Sequence, residues 1–276
     1  MIIGQFAKTF RMRHTKRMHL FEFMDQTWFP KLFRGFITDL IEYQLTAFNV
    51  YAPIVPKIKE AMQKLNCRQI IDLCSGSTGP LLRIQEILSD QENYPVSVTL
   101  TDKYPNLNAF QRLCHLSKYP VNFIPTSVDA TSVPSDYQGI RTLFSSFHHF
   151  RPKQAKQILQ DAVDKNAPIG IFEFTERTRG KCLYIILYGP LIPLRMTHLL
   201  RPFNWSRFFW TYIMPVVPLI YTWDALVSYL RTYSVQELNQ FVSELKSDHY
   251  AWEIGQVKSE ENGLNITYLL GFTNQK

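Results

Sequence analysis

Acidic residues are missing from two long parts of this 276-residue chain. None precedes Glu22, although five Lys or Arg fall by residue 17, and none lies between Arg177 and Trp223, where there are six. Cysteine is scarce too. The four (Cys67, Cys74, Cys114 and Cys182) form no C-x-x-C pair and have no histidine at metal-ligand spacing. That excludes a disulfide scaffold or a zinc module and fits a reduced, metal-free protein of the cytoplasm. The N-terminus lacks the apolar core and small-residue cleavage site of a secretory signal. It admits two readings, a solvated basic arm or a juxtamembrane basic segment. No uncharged apolar run reaches the roughly 20 residues of a spanning helix. Glycine, with 11 residues, never forms the G-x-G-x-x-G fingerprint of a dinucleotide site. The net charge of +7 favours anionic partners in general, but no nucleic-acid-reading motif accompanies it, so nucleic acid ranks low.

What is present is enough for one large domain, or one domain with an elaborated lid, given 46% hydrophobic and 19% charged residues. From Phe21 to Leu65 apolar and aromatic residues recur at helical spacing. Beyond Asn66 short apolar runs predict strands at Gln69–Cys74, Val96–Thr101, Asn122–Thr126, Ile140–Ser145 and Ile169–Phe174. Helical patterns at Pro80–Leu88, Leu107–Leu116 and Lys153–Asp164 alternate with them. This is the signature of a parallel sheet with crossover helices. A helix over Ser234–Lys246, with Ser234 and Glu237 at capping-box spacing, leads into two runs separated by an Asn-Gly turn. Those runs predict a terminal antiparallel hairpin.

The first predicted strand ends in "IIDLCSGSTGPLL", residues 70–82. In open α/β sheets ligands sit beyond the carboxyl ends of the strands, and glycine lets the backbone approach them closely. An anion gains nothing from an acid at Asp72, four residues before Gly76, whereas a cation does. Asp102 follows the second strand, placed to accept both hydroxyls of a ribose. Asp129 follows the third, placed to accept an adenine amino group beside the Ala130 backbone N–H. Singly each is an ordinary turn residue. In order, they describe a ribose, an adenine and a positively charged tail.

"DLCSGSTGP", Asp102 and "VDA" together resemble the class I S-adenosylmethionine-dependent methyltransferases from about Asn66 to the terminal hairpin. "HLFEFMDQTWFP", "FHHFRP" and "LRTYSVQEL" extend the likeness to a group of largely uncharacterised bacterial-type enzymes. The resemblance implies a Rossmann-like, seven-stranded, mostly parallel sheet whose last strand is antiparallel. It implies S-adenosylmethionine as cofactor, held by Asp72, Cys74, Gly76, Gly79, Asp102, Asp129, Ala130 and Ser146. Ser77 and Thr78 stand where glycines are common in that group.

The fourth strand ends in "RTLFSSFHHFRP", without the Asn/Asp-Pro-Pro-aromatic motif with which similar enzymes hold a planar nitrogen. His148 and His149 are candidate bases, His149 placed first, with helix capping or packing as the alternative. Glu173 and Glu176 end the fifth strand. Glu173 is read as orienting an acceptor or pairing with a later arginine. Residues 177–231 then form an insertion with apolar stretches at 182–194 and 208–223, both interrupted by prolines. They read as a buried lid, an interfacial or re-entrant hairpin with Arg195, Arg201 and Arg207 near lipid phosphates, or a two-pass span.

The expected organisation is therefore a basic arm and helical cap over 1–65 and a methyltransferase domain over 66–276 carrying that insertion. The expected activity is methyl transfer to an apolar or amphipathic small molecule such as a quinone, phenol or lipid. The partners would be that acceptor and an anionic membrane surface. The rivals are a non-catalytic ligand- or membrane-binding module on the same fold, and a nicotinamide oxidoreductase, which the missing third glycine disfavours.

Overall fold

The structure is a computed structural model. It describes residues 15–76, 80–245, 247, 249–260 and 263–273. The chain divides into two compact units. One comprises the residues up to Ile41 with Thr175–Ser234, and the other Glu42–Phe174 with Val235–Lys276.

Helices α1 (Lys31–Ala47) and α2 (Val55–Lys64) account for the helical pattern ahead of the sheet. β1 (Gln69–Asp72), α3 (Leu81–Glu86), β2 (Ser97–Leu100), α4 (Leu107–Leu116) and β3 (Val121–Phe123) follow in alternation. β4 (Ile140–Phe144), α5 (Pro152–Asp164) and β5 (Ile169–Glu173) complete the parallel half. The sheet has seven strands in the order β3-β2-β1-β4-β5-β7-β6, where β6 (Tyr250–Lys258) and β7 (Asn265–Thr273) form the hairpin. β1 to β5 are mutually parallel, and β7 runs antiparallel to both β5 and β6. The strand order reverses between β1 and β4, which makes the carboxyl end of β1 the switch point of the sheet.

Burial explains the apolar runs. Every residue of β4 and β5 is buried, as both faces of an interior parallel strand require, whereas edge strand β3 has no buried residue. Arg141 in β4 is the one cation in these central strands. Its buried guanidinium meets the partly buried Asp161 carboxylate of α5 at 2.8 Å, which fixes the helix on the sheet. The strands stop one to three residues earlier than the apolar runs predict. Cys74 and Ser145 take φ of 60° and 44°, which no strand can continue. The helix predicted at Pro80–Leu88 instead runs from Leu81 and loosens into a π turn at Ile87–Gln91. At the hairpin Gly263 takes φ 70°, and Asn262 lies outside the described residues.

The helical unit contains α6 (Arg179–Tyr188), α7 (Leu191–Met196), α8 (Trp205–Phe208), a π segment (Phe209–Ile213) and α9 (Val216–Arg231). Prolines set its breaks, since each removes a backbone donor. The pair from Arg179 to Leu199 bends by 54° and the pair from Trp205 to Arg231 by 79°. Among the described residues no single helix is long and apolar enough to cross a membrane. α9 is the hub. Its Asp224 accepts from the backbone N–H of Phe23 (2.7 Å) and Met24 (3.1 Å). Its Arg231 pairs with Asp25 (2.7 Å) and Glu22 (3.1 Å). Arg207, expected beside lipid phosphates, is instead buried. Its guanidinium pairs with Asp39 at 2.6 Å and donates to the Pro202 carbonyl at 3.0 Å. Burying a guanidinium is costly without such partners, and Arg207 uses its donors on them rather than on a surface. The last helix, α10 (Val235–Glu244), returns the chain to the sheet unit.

Candidate cofactor and catalytic site

Asp72 is the last residue of β1, aligned with Leu100 of β2 and Thr142 of β4. It is 3% exposed, and its two carboxylate oxygens accept from Thr142 Oγ1 (2.7 Å) and Ser75 Oγ (2.8 Å). Burial raises its pKa to about 7, against the pull of those two hydroxyls. The acid expected to face a cationic ligand thus also braces the loop from beneath. The loop then turns through two left-handed residues, Cys74 and Gly76, both at φ 60°. Gly76 is the natural occupant of such a backbone, and among the described residues a Cβ there would meet nothing within 4 Å. Cys74 adopts it despite carrying a side chain. Ser77, Thr78 and Gly79 lie outside the described residues.

The three acids act on one place. Burial, then the carboxylates of Asp102, Asp72 and Asp129, push the Cys74 thiol well above its ordinary pKa. Asp102 ties the loop to the end of β2, with one oxygen accepting from Gly76 N–H (2.9 Å) and the other from Tyr104 N–H (2.8 Å). Asp129 accepts from the N–H and hydroxyl of Thr131 (2.9 and 2.7 Å) and pairs with Lys103 at 2.6 Å. Lys103 and then Thr131 hold its pKa down to about 2, so it is ionised at any physiological pH. Ala130, beside it, is buried.

β4 leads to the other side of the site. Ser145 breaks the strand, and its hydroxyl meets the Tyr51 hydroxyl at 2.5 Å. Ser146 is 8% exposed, and its hydroxyl has no hydrogen-bond partner among the described residues. Residues 147–149 form one 3-10 turn. There the His148 ring nitrogen Nδ1 lies 2.8 Å from Glu173, at the end of β5, while the other Glu173 oxygen accepts from the His148 backbone N–H at 3.1 Å. A carboxylate can only accept, so Nδ1 carries the proton and Nε2 is the basic nitrogen. His149, half-buried, lies against His148 with ring centroids 4.3 Å apart. At the start of α5 the Gln154 side chain accepts from the Arg151 N–H at 3.2 Å. Glu176 pairs with Lys181 at 2.6 Å. Thr142, Ser75 and Tyr51 escape a reading of the sequence. The only trace of Thr142 is a hydroxyl inside an apolar strand.

An adenosyl ligand with a cationic tail suits these groups. Among the described residues the Ser146 hydroxyl is left for a ligand and Gly76 leaves room for close approach, while three carboxylates offer acceptors to hydroxyl and amino groups. No protein-family model matches the chain, and no curated protein matches it significantly. Solved structures do. The structure of PigF with SAH superposes with a TM-score of 0.50 at 14% identity, covering 91% of this chain and 63% of that one. Human N-acetylserotonin methyltransferase in complex with SAM gives 0.49 at 14% identity, covering 88% and 58%. The methyltransferase domain of bacterial-CtHen1-CN gives 0.48 at 11% identity, covering 82% and 100%. The chain thus spans less than two thirds of the first two. The strand order and the single reversed strand give the molecule the fold of the class I S-adenosylmethionine-dependent methyltransferases.

Proposed function

We propose that the protein is an S-adenosylmethionine-dependent methyltransferase acting on an apolar or amphipathic small molecule, a quinone, phenol or lipid-like compound. The observation that carries this reading is the convergence of Asp72, Asp102 and Asp129 on the left-handed loop at the switch point. When bound, the donor supplies a methyl group already activated by its sulfonium. The chain's task is then alignment, exclusion of water and, for a protonated acceptor, removal of a proton. Asp102 has a second lone pair on each oxygen and can accept ribose hydroxyls while holding Gly76 and Tyr104. Asp129 offers the same to an adenine amino group beside Lys103. His148 is the favoured base, because Glu173 orients its ring and stabilises the imidazolium that forms. His149 is the second candidate, able to take the proton directly or through its neighbour.

The test is transfer of labelled methyl from the donor into quinone, phenol and lipid extracts. Label should appear in one extract. His148→Gln and Glu173→Gln should each lower turnover by roughly a hundredfold while donor binding persists. Donor binding with no label in any extract would instead indicate a non-catalytic module.

A further inference from the structure

The helical unit leaves many of its large apolar side chains exposed. α6 turns Cys182 and Ile185 inward and leaves Leu183, Ile186 and Leu187 exposed. α6, α7 and the π segment all pack on α9, and α8 with Trp205 packs on the π segment, so we take the exposed apolar side chains of these adjoining helices together as one layer. Trp205 is 76% exposed, Leu219 65% and Ile213 64%. Single exposed apolar residues are ordinary, but a set of this breadth on adjoining helices marks an interaction surface.

Charge selects the partner. The segment that bears this layer has no acid from Arg177 to Trp223. Arg179, Arg195 and Arg201 are exposed, and among the described residues none of the three has a carboxylate partner. Tyr184 and Tyr188 lie with ring centroids 4.9 Å apart on the same helix, and aromatics with a polar tip suit the boundary between headgroups and acyl chains. The 54° and 79° bends make short helices that lie along a surface more readily than they cross it. We propose that this layer docks in the interfacial region of an anionic bilayer, with Trp205, Leu187 and Leu219 below the headgroups and Arg179, Arg195 and Arg201 among the phosphates. The docking surface needs no methyl donor, so it stands or falls separately from methyl transfer. It would bring an apolar acceptor to the enzyme from the lipid phase.

The test is sedimentation of the whole protein with phosphatidylcholine vesicles prepared with and without phosphatidylglycerol, no donor added. Binding should require phosphatidylglycerol and weaken as salt rises, because headgroup charge is screened. Leu187→Ser with Trp205→Ser should lower partitioning by roughly tenfold or more. Arg195→Gln with Arg201→Gln should reduce it by a similar factor and flatten the salt dependence. Unchanged melting temperatures would show that both variants fold, and an unchanged donor affinity would separate this face from the proposed site. Failure to sediment with either vesicle, equal binding to both, or resistance to alkaline carbonate extraction after membrane expression would overturn the proposal.

Discussion

Asp72 sits where charge and proton compete. With its pKa raised to about 7 by burial, it is partly protonated near neutrality in the free protein. Its folded pKa lies above the ordinary carboxyl value, so the unfolded chain holds fewer protons. Its contribution to stability is therefore greatest at acid pH and falls as pH rises from about 4 to about 7. A positively charged ligand favours the carboxylate, so binding should release a proton, and affinity should climb between about pH 6 and about pH 8. Calorimetry in buffers of different ionisation enthalpy reads that release directly. Asp72→Asn should abolish it. Tyr51→Phe, which removes the hydroxyl contacts to Ser145 and the Phe172 carbonyl, should cost about 1–2 kcal/mol in denaturant unfolding. The three acids were legible because each follows an apolar run by a residue or a few. Tyr51 was not, because it meets a partner 94 residues away through packing that no local pattern encodes. The pairing of His148 with Glu173 was hidden in the same way. Both residues were legible as candidates, but which ring would be held depended on the 3-10 turn after β4.

At the scale of elements, periodicity located the alternating strands and helices, and α4 matches its predicted bounds, Leu107–Leu116. It missed where β1 and β4 end, since those stops depend on two left-handed residues, Cys74 and Ser145, whose types do not advertise that conformation. It also missed the π turns at Ile87–Gln91 and Phe209–Ile213, which look like ordinary helix in sequence. Apolar composition likewise could not tell a buried arginine from a surface one, which is why Arg207 was misplaced. Among the described glycines of the helical unit, Gly189 is the one in a tight place. A Cβ there would come 2.3 Å from the Ile185 carbonyl and 2.9 Å from Thr222 of α9. Gly189→Ala should therefore lower stability by about 1–3 kcal/mol in equilibrium unfolding. An unchanged midpoint would show that α6 and α9 can part without loss.

For the whole molecule, the sheet unit carries the groups read as binding the donor, and the helical unit carries the acid-free apolar layer. These are separable properties of one chain, and the donor claim is the more fundamental. Isothermal calorimetry with S-adenosylhomocysteine, run on the wild type and on Asp102→Ala with NADH as control, tests it most directly. The wild type should bind S-adenosylhomocysteine in the micromolar range. Asp102→Ala should weaken that binding by roughly tenfold or more through lost ribose hydrogen bonds. NADH should give no heat. Equal binding by wild type and Asp102→Ala would contradict the assignment of Asp102, and binding of NADH in place of S-adenosylhomocysteine would contradict the account as a whole.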